Sequence, residues 1–176
     1  MNFRESLVAL LHRQCLQAPR FGAEIGVHRG RTSKLLLTEF QQLRLYLVDT
    51  WAMAAEQTGD SLTRLSAEEQ EAFYRETIRQ VVQFADRAEI LRVDSVAAAG
   101  MMTPLDFAFI DADHSENAVY DDILFYYPKV KKGGIVAVHD TNLQSVVEAT
   151  KKARESLKSR VPLNRIKNGV AFWYKN

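Results

Sequence analysis

Short apolar runs recur along the chain, separated by segments of helical periodicity, and most of them stop at a carboxylate. The runs cover residues 21–27, 43–48, 88–93, 105–110 and 134–138, and the last four lead into Asp49, Asp94, Asp111 and His139-Asp140. Between them, apolar residues fall at helical spacing. Residues 3–17 carry Phe3, Leu7, Leu10, Leu11 and Leu16, with Pro19 as the stop. Further helices are expected over 32–40, 66–84, 117–127 and 143–159. The third segment opens with the capping-box pattern Ser66-Ala67-Glu68-Glu69, and the fourth stops near Pro128. Strand alternating with helix in this way implies a mostly parallel sheet covered on both faces. Strands of that kind must read as nearly continuous apolar sequence, as Phe107-Ala108-Phe109-Ile110 and Ile135-Val136-Ala137-Val138 do.

The rhythm breaks at the C-terminus. Runs 163–166 and 170–174 flank Asn168-Gly169, two residues that tolerate the positive φ of a tight hairpin turn. The expected architecture is α/β, a Rossmann-like three-layer sandwich. Its mostly parallel seven-stranded sheet should finish in a C-terminal antiparallel hairpin strand.

A length of 176 residues suits one domain over 1–176, and a hydrophobic content of 47% argues against disorder. The net charge of +1 gives no global attraction to nucleic acid or to an anionic membrane. One cysteine, Cys15, excludes an internal disulfide framework and a cysteine-rich zinc site, and its apolar neighbours mark it as a buried thiol. No apolar stretch is long enough to span a bilayer, and the N-terminus lacks the order of a signal peptide, so a soluble cytoplasmic protein is expected. Lys129, Lys131, Lys132, Lys151, Lys152, Arg154, Lys158 and Arg160 make the C-terminal third basic. Glu148 and Glu155 interrupt the group, which fits a solvated helix face better than an RNA site.

The first strand leads into Glu24-Ile25-Gly26-Val27-His28-Arg29-Gly30 and then a helix, a nucleotide-binding arrangement. Glycines let the backbone turn sharply and let a ligand approach it, the new helix offers free N–H groups, and Thr32 and Ser33 add hydroxyls. A pyrophosphate-binding loop wants glycine where His28 stands. Glu24 is unwelcome beside a pyrophosphate and suitable beside an ammonium or sulfonium group. Asp49 follows the loop at the spacing of a carboxylate that accepts from a ribose diol. A solvated strand-end aspartate is its bland reading. Trp51 either stacks on adenine or packs in the core.

On these residues the chain resembles the class I S-adenosylmethionine-dependent methyltransferases. Their first motif is an acidic residue, any residue, glycine, three residues, glycine, which Glu24, Gly26 and Gly30 match. Within them it is similar to the small-molecule O-methyltransferases, including macrolide-sugar enzymes, through Ile110-Asp111-Ala112-Asp113-His114-Ser115. The resemblance implies S-adenosylmethionine as cofactor, with its methionine portion along Glu24, Gly26, Val27, Gly30, Thr32 and Ser33. It places the ribose at Asp49, near Thr50 and Trp51, and the adenine at Asp94 and Ser95, although either of these last two could instead cap a helix. Asp111 would face the methyl group and acceptor, and His114 would hold its loop or touch the cofactor.

Asp111 and Asp140 should converge at neighbouring strand tips. Such an oxygen-rich pair suits Mg²⁺ or another divalent cation, with Asn142 as a further ligand. Related O-methyltransferases hold the acceptor hydroxyl through such a metal, but some carry consecutive carboxylates where this chain has His139-Asp140. A metal-free site with His139 as general base is the rival. Asp111, His139 and Asp140 are the expected catalytic set. Residues 51–87, together with the N-terminal helix, are the expected lid and acceptor region. A small-molecule acceptor with a hydroxyl is expected, homodimerisation stays open, and neither a membrane nor a nucleic acid partner is foreseen. A nicotinamide-dependent oxidoreductase and a catalytically silent cofactor-binding domain are the alternatives.

Overall fold

A computed structural model describes residues 2–14, 18–52 and 65–176. Cys15 and the loop expected around Gly59-Asp60-Ser61 lie outside the described residues. The helices are α1 (Phe3–Gln14), α2 (Arg31–Glu39), α3 (Ala67–Val81), α4 (Ser95–Ala99), α5 (Glu116–Tyr126) and α6 (Gln144–Ser156). The strands are β1 (Phe21–Ile25), β2 (Arg44–Val48), β3 (Ala88–Leu91), β4 (Leu105–Ile110), β5 (Val130–Val138), β6 (Asn164–Ile166) and β7 (Val170–Tyr174). Together they form one seven-stranded sheet in the order β3-β2-β1-β4-β5-β7-β6. Strands β1 to β5 run parallel, and β7 lies antiparallel to both β5 and β6.

Side chains alternate across a strand, so a sheet covered on both sides needs apolar residues at every position. Ala108 and Ile110 join Ala23, Ile25, Val136, Val138 and Trp173 beneath α4, α5 and α6. Phe107 and Phe109 join Leu45, Leu47, Ile135, Ala137 and Phe172 beneath α1, α2 and α3. Phe107 is fully buried, and truncating it to alanine would cost about 3–5 kcal/mol.

Local signals set the ends of the elements. Ser66 accepts from the Glu69 backbone N–H and Glu69 returns the bond to the Ser66 N–H, so the capping box forms as expected. Asn168 and Gly169 carry φ of 66° and 76° and turn β6 into β7. Strand β5 starts at Val130, earlier than its apolar run, because Val130 pairs with Leu105 before a register shift admits Ile135 opposite Phe107. At the N-terminal edge of the sheet, the Asp106 carboxylate accepts from the backbone N–H groups of Arg20 and Phe21 and from Lys131 Nζ, tying β1, β4 and β5 together.

The strand order reverses between β1 and β4, because the chain builds outward to β3 and then returns to the other side of β1. A crevice opens at such a switch point, beyond the carboxyl ends of the strands. The glycine loop and Asp111 therefore sit side by side.

Candidate active site

The loop after β1 is held by its neighbours in a fixed turn. Gly26 adopts φ +89°, and a Cβ there would lie 2.1 Å from the Asp111 carbonyl oxygen, so only glycine allows the β1 and β4 ends to meet. Asp111 N–H donates to the Ile25 carbonyl at 2.7 Å, and Gly26 N–H donates to the Val48 carbonyl at 2.9 Å. Asp49 Oδ2 accepts from the backbone N–H groups of Val27 and His28, at 3.0 and 2.8 Å. Its Oδ1 accepts from Trp51 N–H at 2.8 Å. The His28 carbonyl accepts from Trp51 Nε1 at 2.7 Å and from Thr77 Oγ1 at 3.1 Å. Asp49 is thus first a clamp on the loop.

Behind the loop, Glu24 is 1% exposed and its carboxylate accepts from Ser33 Oγ. Burial pushes its pKa up to about 8, against the opposing bond from Ser33. Gly30 is the N-cap of α2 and supplies no side-chain bond, so the first-turn N–H groups of that helix have no side-chain cap. Beside them stand Arg31 and Arg29, and Arg4 Nε, reaching over from α1, donates to Thr32 Oγ1 at 3.1 Å. The His28 ring turns toward α3 and meets Phe73 edge-on, with 4.5 Å between centroids. Burial and then Arg29 hold its pKa below the usual histidine value, so it stays neutral.

Across the crevice, three groups meet at the tips of β4 and β5. His139 Nδ1 is 2.9 Å from Asp111 Oδ1 and 3.1 Å from Asp140 Oδ2. His114 Nε2 lies 2.9 Å from the same Asp140 oxygen. The Phe3 ring covers His139 at a centroid distance of 4.0 Å. Burial disfavours the His139 cation, but the bonds to Asp111 and Asp140 outweigh it and hold the imidazole at about 9. The bonds from His114 and His139 pull Asp140 well below the usual carboxylate range, whereas burial pushes Asp111 up. At neutral pH the free site therefore carries His139 protonated, which argues against the expected role of general base for that residue.

One cavity of about 420 Å³ takes in both clusters. It brings together the expected residues Glu24, Gly26, Val27, Thr32, Asp111, His114, His139 and Asp140. Other expected residues stand elsewhere. Ser33 sits behind Glu24, and Gly30 starts α2. Trp51 is 2% exposed and packs against Tyr74 in the core, which answers the choice between adenine stacking and burial in favour of burial. Thr50 is exposed and does not line this cavity. Asp94 accepts from the Val96 and Ala97 N–H groups as the N-cap of α4, and Ser95 Oγ donates to the buried Asp122. Asn142 places its side-chain oxygen against Gly169, and His139 stands with Asp111 and Asp140 where Asn142 was expected as a metal ligand. The N-terminal helix was expected as an acceptor wall, but Phe3 and Arg4 were not singled out, because nothing local in a helix marks which distant loop it will cover. The pair Arg29-x-Arg31, spanning the end of the loop and the start of α2, was a readable signal of an anion-attracting wall.

Residues 23–141 match the methyltransferase-domain family. No curated protein matches the chain. Among solved structures, it is similar to the O-methyltransferase NovP at 16% identity and a TM-score of 0.70, with 98% of this chain and 79% of that one covered. It is also similar to CalS11, a calicheamicin methyltransferase, at 16% identity and a TM-score of 0.69, covering 96% and 77%. A precorrin-6y C5,15-methyltransferase from Geobacter metallireducens GS-15 gives 13% identity and a TM-score of 0.70, covering 98% and 87%. At these identities the likeness is one of fold. Nothing in these matches supports a nicotinamide-dependent oxidoreductase. Among the described residues, no helix is long and apolar enough to cross a membrane.

Proposed function

This chain belongs to the methyltransferase-domain family, and on that footing we propose that it moves the methyl group of S-adenosylmethionine to a hydroxyl oxygen of a small molecule. The observation that carries the reading is the shared cavity. A site for a zwitterionic amino acid and a cluster able to act on an acceptor open into the same space. Glu24 provides the counter-charge for an ammonium group, and the uncapped start of α2, with Arg4 and Arg31, attracts a carboxylate. Asp49 fixes the loop with three of its roughly four acceptor sites, leaving about one for a ribose hydroxyl. Thr50, Asp94 and Ser95 border the β2 and β3 ends, on the side left for the adenine.

S-adenosylmethionine, held by Glu24 and the first turn of α2, would supply an activated methyl group that an acceptor oxygen takes in line, with a neutral thioether as the leaving group. The hydroxyl proton passes to the carboxylate of Asp111, which burial has made a stronger base than a free aspartate. His139 and His114 hold Asp140 in place beside it. The protein otherwise contributes position, since the reactive group is already activated.

The donor set also fits a divalent cation. A carboxylate oxygen of Asp111, one of Asp140 and a ring nitrogen of His139 lie within 4.8 Å of one another. A cation there would lower the pKa of the acceptor hydroxyl and orient it. His139 can join such a set only after losing its proton. Helices α1 and α3 are the proposed walls of the acceptor space, as parts of the region expected to confer specificity.

Calorimetry with S-adenosylhomocysteine and with reduced nicotinamide cofactor, each with Mg²⁺ or a chelator, tests the reading. Binding of the first and not the second is expected, and the reverse would overturn it. Release of S-adenosylhomocysteine upon mixing S-adenosylmethionine with a panel of phenols and sugars then locates the acceptor class. Equal turnover with thiols and amines in place of hydroxyls would refute oxygen as the acceptor atom.

A further inference from the structure

The sheet is wider than the helical layer on the α6 face. Helix α6 packs Val146, Ala149 and Ala153 against the core that contains Trp173, while Leu163 and Arg165 lie beyond its reach at the hairpin edge. A cleft of about 540 Å³ results, with Val147, Leu163 and Ala171 as its apolar lining. It shares no lining residue with the cavity beneath the glycine loop.

Charge in this cleft is one-sided. Lys151, Arg154, Lys158, Arg160 and Arg165 line it, against the single acid Glu155. None of the five cations lies within ion-pair distance of a carboxylate among the described residues, whereas the neighbouring Lys152 pairs with Glu116 at 3.5 Å. Arg154 donates through Nη2 to the Val161 carbonyl at 2.5 Å. Its guanidinium lies over the Trp173 ring at 5.2 Å from the centroid, and Nη1 and the Ser159 hydroxyl are both buried with no hydrogen-bond partner among the described residues. A buried donor left without an acceptor is costly, and a guanidinium more so.

Cations at a helix C-terminus often serve only to offset the helix dipole. That accounts for Arg154 and Lys158. It does not account for Lys151, which lies before the last turn of α6, or for Arg160 and Arg165, which lie beyond the helix. We propose that the cleft is a second binding site, for a small molecule carrying a di- or triphosphate group on a less polar body. Phosphate oxygens would reach Arg154 Nη1 and Ser159 Oγ after a small side-chain shift, with Lys158 and Arg165 closing on them. The body would lie on Val147, Leu163 and Ala171. Guanidinium forks match phosphate oxygens in pairs, and a single carboxylate would leave most of the five cations unused. The volume is that of a small-molecule site. Nucleic acid is disfavoured because Trp173 is fully buried and the cleft lining includes no aromatic residue on which a base could stack.

Inorganic pyrophosphate is the probe. It is titrated into the full chain by calorimetry, with EDTA present to remove any metal at Asp111, and into the ¹⁵N-labelled chain by NMR. One saturable site is expected, with shifts confined to residues 150–171. In Lys158→Ala/Arg165→Ala, both positions being exposed, affinity should fall about tenfold or more, while S-adenosylhomocysteine affinity stays unchanged as proof of folding. Lys151→Glu, from another wall, should weaken binding in the same direction. The proposal is overturned if the wild type shows no saturable site, if the variants bind equally well, or if the shifts fall on residues 26–30. It is also overturned if short single-stranded RNA binds more tightly than pyrophosphate and loses that binding in the same variants.

Discussion

Replacing Glu24 by glutamine should stabilise the ligand-free protein at neutral pH and abolish tight cofactor binding. Glu24 is 1% exposed, and burial raises its pKa from an ordinary 4.5 to about 8. Between those values the folded protein holds a proton that the unfolded chain has lost, so folding becomes less favourable as pH rises. Linkage gives a penalty of roughly 1 kcal/mol at pH 5 and roughly 3 kcal/mol at pH 7, and the penalty levels off only above pH 8. Glutamine has nearly the same shape, keeps an acceptor for Ser33 and does not titrate. Its own packing cost is independent of pH, and the other buried acids titrate identically in both proteins and cancel. The stability difference between Glu24→Gln and wild type should therefore move in favour of the variant by roughly 2–3 kcal/mol from pH 5 to pH 7. Urea unfolding of both proteins at pH 5, 6 and 7, without cofactor, measures it. A difference that does not change with pH would refute the reasoning, because it would mean that Glu24 is already ionised in the folded state.

Three further outcomes follow from the site. Asp111→Asn should lower turnover by about 100-fold or more while S-adenosylhomocysteine affinity changes less than about threefold; equal losses in both would remove Asp111 from the proton transfer. His139, followed by NMR, should titrate at about 9 in the metal-free protein and lower in Asp111→Asn. Since its folded pKa lies above the ordinary 6.5, its stabilisation is complete below that pH and is lost as pH rises through about 9, and a normal titration would contradict the pairing. Asp49→Ala removes the acceptor for three backbone N–H groups and should cost about 1.5–3 kcal/mol in urea unfolding and weaken S-adenosylhomocysteine about tenfold; an unchanged protein would show that the loop holds itself.

The sheet was readable because burial on both faces forces continuous apolar runs, and Asn168-Gly169 marked the one reversal by its tolerance of positive φ. The acids at the strand ends were readable for the same reason, since a carboxylate at the end of such a run stands out. Their division of labour was not. Asp49 grips the backbone of the loop, and Asp94 caps a five-residue helix that has too few apolar positions to show periodicity. Trp51 becomes a core residue because the His28 carbonyl and Tyr74 await it, contacts between residues far apart in the chain. The roof of Phe3 and Arg4 is another such contact, and so is the third member of the acid cluster, where His139 rather than Asn142 faces Asp111.

In the proposed function, the turn after β1 receives the amino-acid end of a sulfonium nucleoside, with its ammonium group on Glu24. A crystal structure of the protein grown with S-adenosylhomocysteine tests this most directly. The amino-acid moiety should lie in the cavity between Glu24 and the first turn of α2, with the sulfur directed toward Asp111. A nucleoside bound away from Glu24, or a turn kept closed by Arg4 and His28, would contradict it.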